Sequence, residues 1–324
     1  MAKYHVKKDG TPGLCKAQEG NCPLGDSSQH FSSKAEAQEY ADKKNEIAAK
    51  NKEIYDNLNK EDFRDTQLDS IESGMKKGLD ISKFADPRFE MGQMGMIKYG
   101  MIEGLDVDLY AKPEFHYLEM ELIVKGLEKG YDASIYAKPE YDYSQMYAIY
   151  DGLEEGLDVS VYAKPEYDSN QMETIRKGLS AGYDVSIYTN PEFNYHQMKE
   201  VYMGYESGVD VSKYAKPEYN SMQMYEMREG LEKGFDVDKY SDLGWMEMHE
   251  VRLGFEHGVD VSDYAKQGFN SHQLGYIRYG LKRGYDVDSF AKLEYDYEKM
   301  DEIVNELDEE AEKKKGKKKT GKKK

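Results

Sequence analysis

Four side chains near the N-terminus are of the kinds that hold a borderline metal: His5, Cys15, Cys22 and His30. Thiolates and imidazoles are the usual donors to zinc, and four of them meet its tetrahedral preference. The gap between Cys15 and Cys22 is six residues, wider than the roughly two to four of a zinc knuckle. The spacing therefore favours buried or free thiols, and no metal or cofactor is expected; zinc on His5, Cys15, Cys22 and His30 is the alternative. Gly10, Pro12, Gly13, Gly20, Pro23 and Gly25 crowd around the cysteines, which predicts a loop-rich or short-hairpin module over residues 1–32. A module of this size has little core of its own and would gain from a metal.

Further along, cations recur at a fixed place. Lys98, Arg176, Arg228, Arg252 and Arg278 each stand four residues after Met94, Met172, Met224, Met248 or Leu274. Such a stripe can meet a phosphate or a carboxylate. In a chain this acidic, the expected partner is a Glu of the adjacent repeat, and Arg176, Arg228, Arg252 and Arg278 are candidate binding residues only if that pairing fails. Trp245, the single tryptophan, is the other candidate. Asp106-Val107-Asp108 and its copies lack the oxygen ligands and the glycine of a calcium loop. A nucleophile beside a base, a HExxH helix and a phosphate-cradling glycine loop are all missing from the sequence. His116, His196, His249, His257 and His272 fall at scattered places, so the expectation is a protein that is not an enzyme.

The elements that position these residues are written as a repeat. Gly78, Gly104, Gly130, Gly156, Gly182, Gly208, Gly234, Gly258 and Gly284 are spaced by 26 residues, once by 24, the signature of a solenoid or array. In the unit from Asp142 to Tyr167, Met146, Ile149 and Leu153 share one face of a helix. Asp142 with Gln145 predicts a capping box and Tyr141 with Met146 a hydrophobic staple. Gly156 predicts a left-handed stop. Asp158 then opens a second, shorter helix, VSVYA, of about one and a half turns, which Pro165 ends. Gly152 and its eight equivalents lie inside the long helix, where glycine costs about 1 kcal/mol. A neighbouring helix is expected to pack against that bare backbone. The fold class is thus all-α, an α-solenoid of about nine 26-residue two-helix repeats with a small N-terminal module. Residues 33–65 read as a charged helical connector capping the array, 66–308 as the array and 309–324 as a disordered Lys-rich tail. In the shortened linker SDLGWMEM, Trp245 is expected to replace the missing staple tyrosine.

The formal charge is −18, yet nine of the last twelve residues are lysine, leaving about −27 on the remainder. An acidic body of this kind repels nucleic acid and membranes and favours a basic protein partner. The Lys tail offers a separate attachment to nucleic acid. No apolar run is long enough for a membrane span and the N-terminus lacks the apolar core of a signal peptide, so the expected location is the cytoplasm. The 29 Tyr and 10 Phe mostly hold two fixed repeat positions, which reads as packing rather than base stacking.

The repeat from Gln171 to Tyr188, QM-x2-I-R-x-GL followed by DVS-x-Y, resembles 26-residue α-helical repeat proteins of uncharacterised role carried by mobile elements and phages of Gram-positive gut bacteria. The leader YHVKKDGTPGLCKAQEGNCPLGDSSQHF resembles a Cys-containing segment found ahead of varied proteins of the same elements. The resemblance implies a setting, not a function. The expected function is a non-enzymatic protein–protein interaction scaffold; an acidic DNA-mimicking decoy and nucleic-acid attachment through the tail are the alternatives.

Overall fold

The computed structural model describes residues 3–7, 10–15 and 30–321, with side chains through Lys314. Cys22 lies outside the described residues. The chain forms two compact units, residues 1–158 and 159–324.

In the first unit, β1 (Tyr4–Val6) and β2 (Pro12–Leu14) make an antiparallel hairpin that sets His5 opposite Gly13, and Phe31 bridges to Tyr4. The hairpin packs on α1 (Lys34–Asn57), whose N-cap Ser33 accepts from the Glu36 N–H. Then come α2 (Asp65–Lys76), α3 (Met91–Glu103), α4 (Tyr117–Glu128) and α5 (Tyr143–Glu154), each packed on the next. Helix α1 packs on the Ile81–Lys83 turn of this stack. Its buried Asn51 donates to the Leu79 carbonyl at 2.7 Å and accepts from the Ile81 N–H at 3.0 Å, while Lys50 pairs with Asp80 at 2.8 Å.

The second unit stacks α6 (Ser169–Ser180), α7 (Tyr195–Ser207), α8 (Ser221–Glu232), α9 (Trp245–Glu256), α11 (Ser271–Arg283) and α12 (Tyr297–Gly321) in the same way, with the short α10 (Ser262–Lys266) between α9 and α11. The fold is all-α and solenoid-like, with one small hairpin.

The repeat signals act where the sequence places them. Asp142 accepts from the Gln145 N–H at 2.8 Å and Gln145 Oε1 accepts from the Asp142 N–H at 2.9 Å; α6, α7, α8 and α11 are capped alike. The nine stop glycines all take φ between 71° and 77°, the left-handed backbone that only glycine adopts cheaply. Met94, Met120, Met146, Met172, Met198, Met224 and Met248 are fully buried, as are Ile97, Ile123, Ile149 and Ile175 three residues on in the first four.

Three expectations need correction. The second element is shorter than a one-and-a-half-turn helix: it is a single 3-10 turn such as Val107–Leu109 or Val185–Ile187, with five-residue α10 the exception. Its opening Asp bonds the N–H two residues on, as Asp184 does to Ser186 at 3.0 Å, and so holds one tight turn. The interior glycine does not face a neighbouring long helix. A methyl on Gly100, Gly126, Gly178, Gly204 or Gly230 would overlap the hydroxyl of Tyr110, Tyr136, Tyr188, Tyr214 or Tyr240, the aromatic ending the repeat's own 3-10 turn. That ring folds back over the helix it follows, and glycine makes the room. Finally, the tail expected to be disordered from residue 309 continues α12 through Gly321. Its start is supported by i,i+4 pairs between Glu309 and Lys313 and between Glu310 and Lys314.

The capping glutamine has a second role that spacing within one repeat does not reveal. Gln67, Gln93, Gln197 and Gln273 each donate Nε2 to two carbonyls of the next repeat's linker. Gln197, for instance, reaches Pro217 O at 3.1 Å and Tyr219 O at 2.6 Å. One buried amide thus starts its own helix and anchors the following linker.

Candidate functional site

Three of the four metal-type residues, His5, Cys15 and His30, come together. His5 lies on β1, Cys15 just after β2 and His30 just before the residue that bridges to β1, so the hairpin ladder brings three separate segments to one point. One donor atom from each lies within 4.8 Å of the others. His30 Nε2 stands 3.2 Å from Cys15 Sγ, and the two imidazoles meet edge to face with centroids 6.2 Å apart.

The arginine stripe is occupied by carboxylates. Arg228 Nε donates to Glu200 at 3.0 Å, Arg252 Nε to Glu226 at 2.6 Å and Arg278 Nε to Glu250 at 2.8 Å, each reaching back one repeat. Arg228, Arg252 and Glu226 are buried, and Arg176 pairs with Glu173 in its own helix at 2.8 Å. Arg228, Arg252 and Arg278 thus join neighbouring helices, whereas Arg176 pairs within its own. At the first stripe position Lys98 meets Ser70 Oγ at 2.5 Å; burial, with a smaller push from Lys77, lowers its pKa from the ordinary lysine value.

Turn carboxylates are partly neutralised as well. Asp108 pairs with Lys83, Asp238 with Lys213 at 2.7 Å and Asp260 with Lys239 at 2.8 Å, again one repeat apart.

Trp245 does not replace the staple tyrosine. With two residues deleted, Gly244 becomes the N-cap and Leu243 takes the staple place, its carbonyl accepting from Gln223 Nε2 at 2.9 Å. Trp245 is pushed to the first helical position, where it is 37% exposed. With Met246, His249, Ser271, His272 and Gly275 it lines a cleft of about 320 Å³ between α9 and α11. A second cleft of about 390 Å³ lies on the other side of α11, among Tyr276, Tyr279, Asp301 and Asn305. His272 and Gly275 border both clefts.

The sequence reading missed an exposed apolar row in the first unit. Met91 and Tyr117 begin α3 and α4, Tyr143 begins α5, and all three are exposed, with Leu118 and Tyr147 beside them. Tyr143 and Tyr147 stack at 6.2 Å between centroids, and Tyr117 Cβ sits over Gly92. The signal was present, since Met91, Tyr117 and Tyr143 recur at 26 residues, immediately after the cap position.

Among the described residues no helix is long and apolar enough to cross a membrane. No protein-family model, curated protein or solved structure matches this chain.

Proposed function

We propose that the chain is a non-enzymatic protein–protein interaction scaffold, cytoplasmic, and carried by a mobile element or phage. The observation that carries this reading is the exposed row of Met91, Tyr117, Leu118, Tyr143 and Tyr147. Aromatic residues at fixed intervals on a rigid stack, without a place in the core, are what a protein-binding surface presents. The repeated polar residues, by contrast, serve capping and inter-repeat pairing, which leaves few groups for chemistry. A basic partner suits the acidic body. The setting rests on the resemblance of the repeat and leader to mobile-element proteins. Pairing of Asp108, Asp238 and Asp260 with lysines removes charges that a DNA-mimicking decoy would display, so the scaffold is favoured over the decoy.

The test is capture from a nuclease-treated Gram-positive host lysate by the full-length protein and by a variant carrying Tyr117→Ser, Tyr143→Ser and Tyr147→Ser. A stoichiometric protein held by the parent and lost by the variant, with unchanged far-UV circular dichroism and Tm, supports the reading. Equal capture by both, or none by either, overturns it.

A further inference from the structure

We infer that His5, Cys15 and His30 bind a zinc ion that clamps the N-terminal hairpin into its fold. The cluster lies apart from the aromatic row and does not depend on the scaffold reading.

Geometry is the first argument. Tetrahedral zinc, with Zn–S about 2.3 Å and Zn–N about 2.0–2.1 Å, sets its donor atoms roughly 3.3–3.6 Å apart. The His30–Cys15 separation of 3.2 Å and the 4.8 Å envelope of all three bracket that spacing. The residues are also held from behind by backbone. Cys15 N donates to Lys3 O at 2.8 Å, and Tyr4 and Phe31 exchange N–H to carbonyl bonds of 2.9 and 2.7 Å. Side-chain rotation alone can then bring the three donors to one centre.

The second argument is burial. Among the described residues before Ala37, the one buried side chain is His5, at 8% exposure. Among the described residues of this module the innermost group is thus an imidazole and not an apolar side chain, and small modules of this kind are commonly held by a metal. A metal at the centre takes one ring nitrogen from each histidine.

Donor chemistry selects the ion. One thiolate and two imidazoles, without a carboxylate, suit zinc and disfavour calcium or magnesium, which want oxygen. Binding releases the thiol proton of Cys15 to solvent, because the thiolate is the ligand. The fourth coordination position is filled from outside these three residues. The opposing reading is a thiol–imidazole dyad in which His30 activates Cys15 as a nucleophile. The two differ in sign: zinc coordination shields the sulfur from alkylation, whereas a dyad leaves it reactive.

The experiment uses full-length protein. Metal content is measured after gel filtration, cobalt is titrated into chelator-stripped protein, and iodoacetamide labelling of Cys15 is followed by peptide mass mapping with and without zinc. Expected are one equivalent of zinc, a tetrahedral cobalt spectrum with a thiolate charge-transfer band, and Cys15 labelling slowed at least about tenfold by zinc. Cys15→Ser abolishes the band, and His5→Ala and His30→Ala each weaken cobalt binding by more than about 100-fold, beyond the loss typical of outer-shell changes. In Cys22→Ser the band persists, since Cys15 still supplies a thiolate. Labelling of parental Cys15 at the same rate with and without zinc overturns the proposal whether or not any variant folds. A band lost in Cys22→Ser but kept in Cys15→Ser overturns it too.

Discussion

Tyr188 and Tyr214 fill the same place in consecutive repeats, both fully buried over an interior glycine, but their hydroxyls differ. Tyr214 donates to the Glu200 carbonyl at 3.0 Å, whereas Tyr188 Oη is buried with no hydrogen-bond partner among the described residues. An unmet buried hydroxyl is destabilising, and a satisfied one contributes modestly. Tyr188→Phe should therefore leave stability unchanged or raise it by up to about 1 kcal/mol, while Tyr214→Phe should cost about 0.5–1.5 kcal/mol. Urea melts of the two variants beside the parent give the comparison; equal losses in both would refute the assignment. The chain already uses phenylalanine here, since Phe84 and Phe290 hold the position in the first and last full repeats. The glycine beneath these rings was legible in the sequence as a packing residue, but its neighbour was not. Spacing shows that a side chain is forbidden; it does not show which ring forbids it. The same holds for Glu226, fully desolvated between His249 and Arg252. Sequence periodicity pointed to a Glu–Arg pair, and the structure adds that the pair is buried, where losing one partner costs more than the pair contributes.

At the scale of the helix, the capping box was the most readable feature of the chain, because Asx and Gln recur three residues apart in five copies. Half of its work was hidden. Gln197 Oε1 accepts from the Asn194 N–H at 2.8 Å, while Nε2 joins two carbonyls about twenty residues on. Replacing Gln197 with Leu leaves one donor and two acceptors unmet, at least partly out of water, and should destabilise the second unit by about 2–4 kcal/mol. Gln197→Glu keeps the acceptor and loses both donations, so it should be destabilising near neutral pH and recover in part when the carboxyl is protonated toward pH 4, since its one O–H can replace one of the two donations. Chemical denaturation of both variants at neutral and acid pH separates the roles; a Glu variant as stable as the parent at neutral pH would show that the cap half alone matters. Helix α4 has Glu119 at this place, and its carboxylate accepts from the His116 N–H at 2.7 Å. One cap can evidently be built from the acceptor half. The shortened linker shows the opposite limit of legibility: the deletion was plain in the sequence, but whether Leu243 or Trp245 filled the staple depended on where the helix restarts, and Gly244 decides that.

Across the molecule, titration should act at both ends of the pH scale with opposite signs. At Asp80 and Asp260 burial alone would raise the carboxyl pKa, but hydrogen bonds from Lys50 and Ser82, and from Lys239 and Ser262, outweigh it and hold both below the usual value. A depressed folded pKa stabilises above the unfolded value of about 3.9 and loses that contribution as pH falls through the folded value. The acid limb therefore begins below about pH 4. The buried tyrosines act the other way. Burial is the leading cause that raises the phenols of Tyr110, Tyr136, Tyr188, Tyr214 and Tyr240 far above the ordinary value. Their contribution is complete below the unfolded pKa of about 10 and is lost as pH rises through the folded value. Each then removes up to about 1.4 kcal/mol per pH unit. Within each unit the long helices pack on their neighbours, so the repeats of a unit should open together once one phenol is exposed and ionised. Tyrosinate absorbance and far-UV circular dichroism, recorded during one alkaline titration, test this. A late rise in absorbance that coincides with loss of helix above about pH 10 is the expected result. Complete ionisation with the helical signal intact would mean that the rings over the glycines are reached by solvent without unfolding, and that the packing of ring on bare backbone is not what holds the repeats closed.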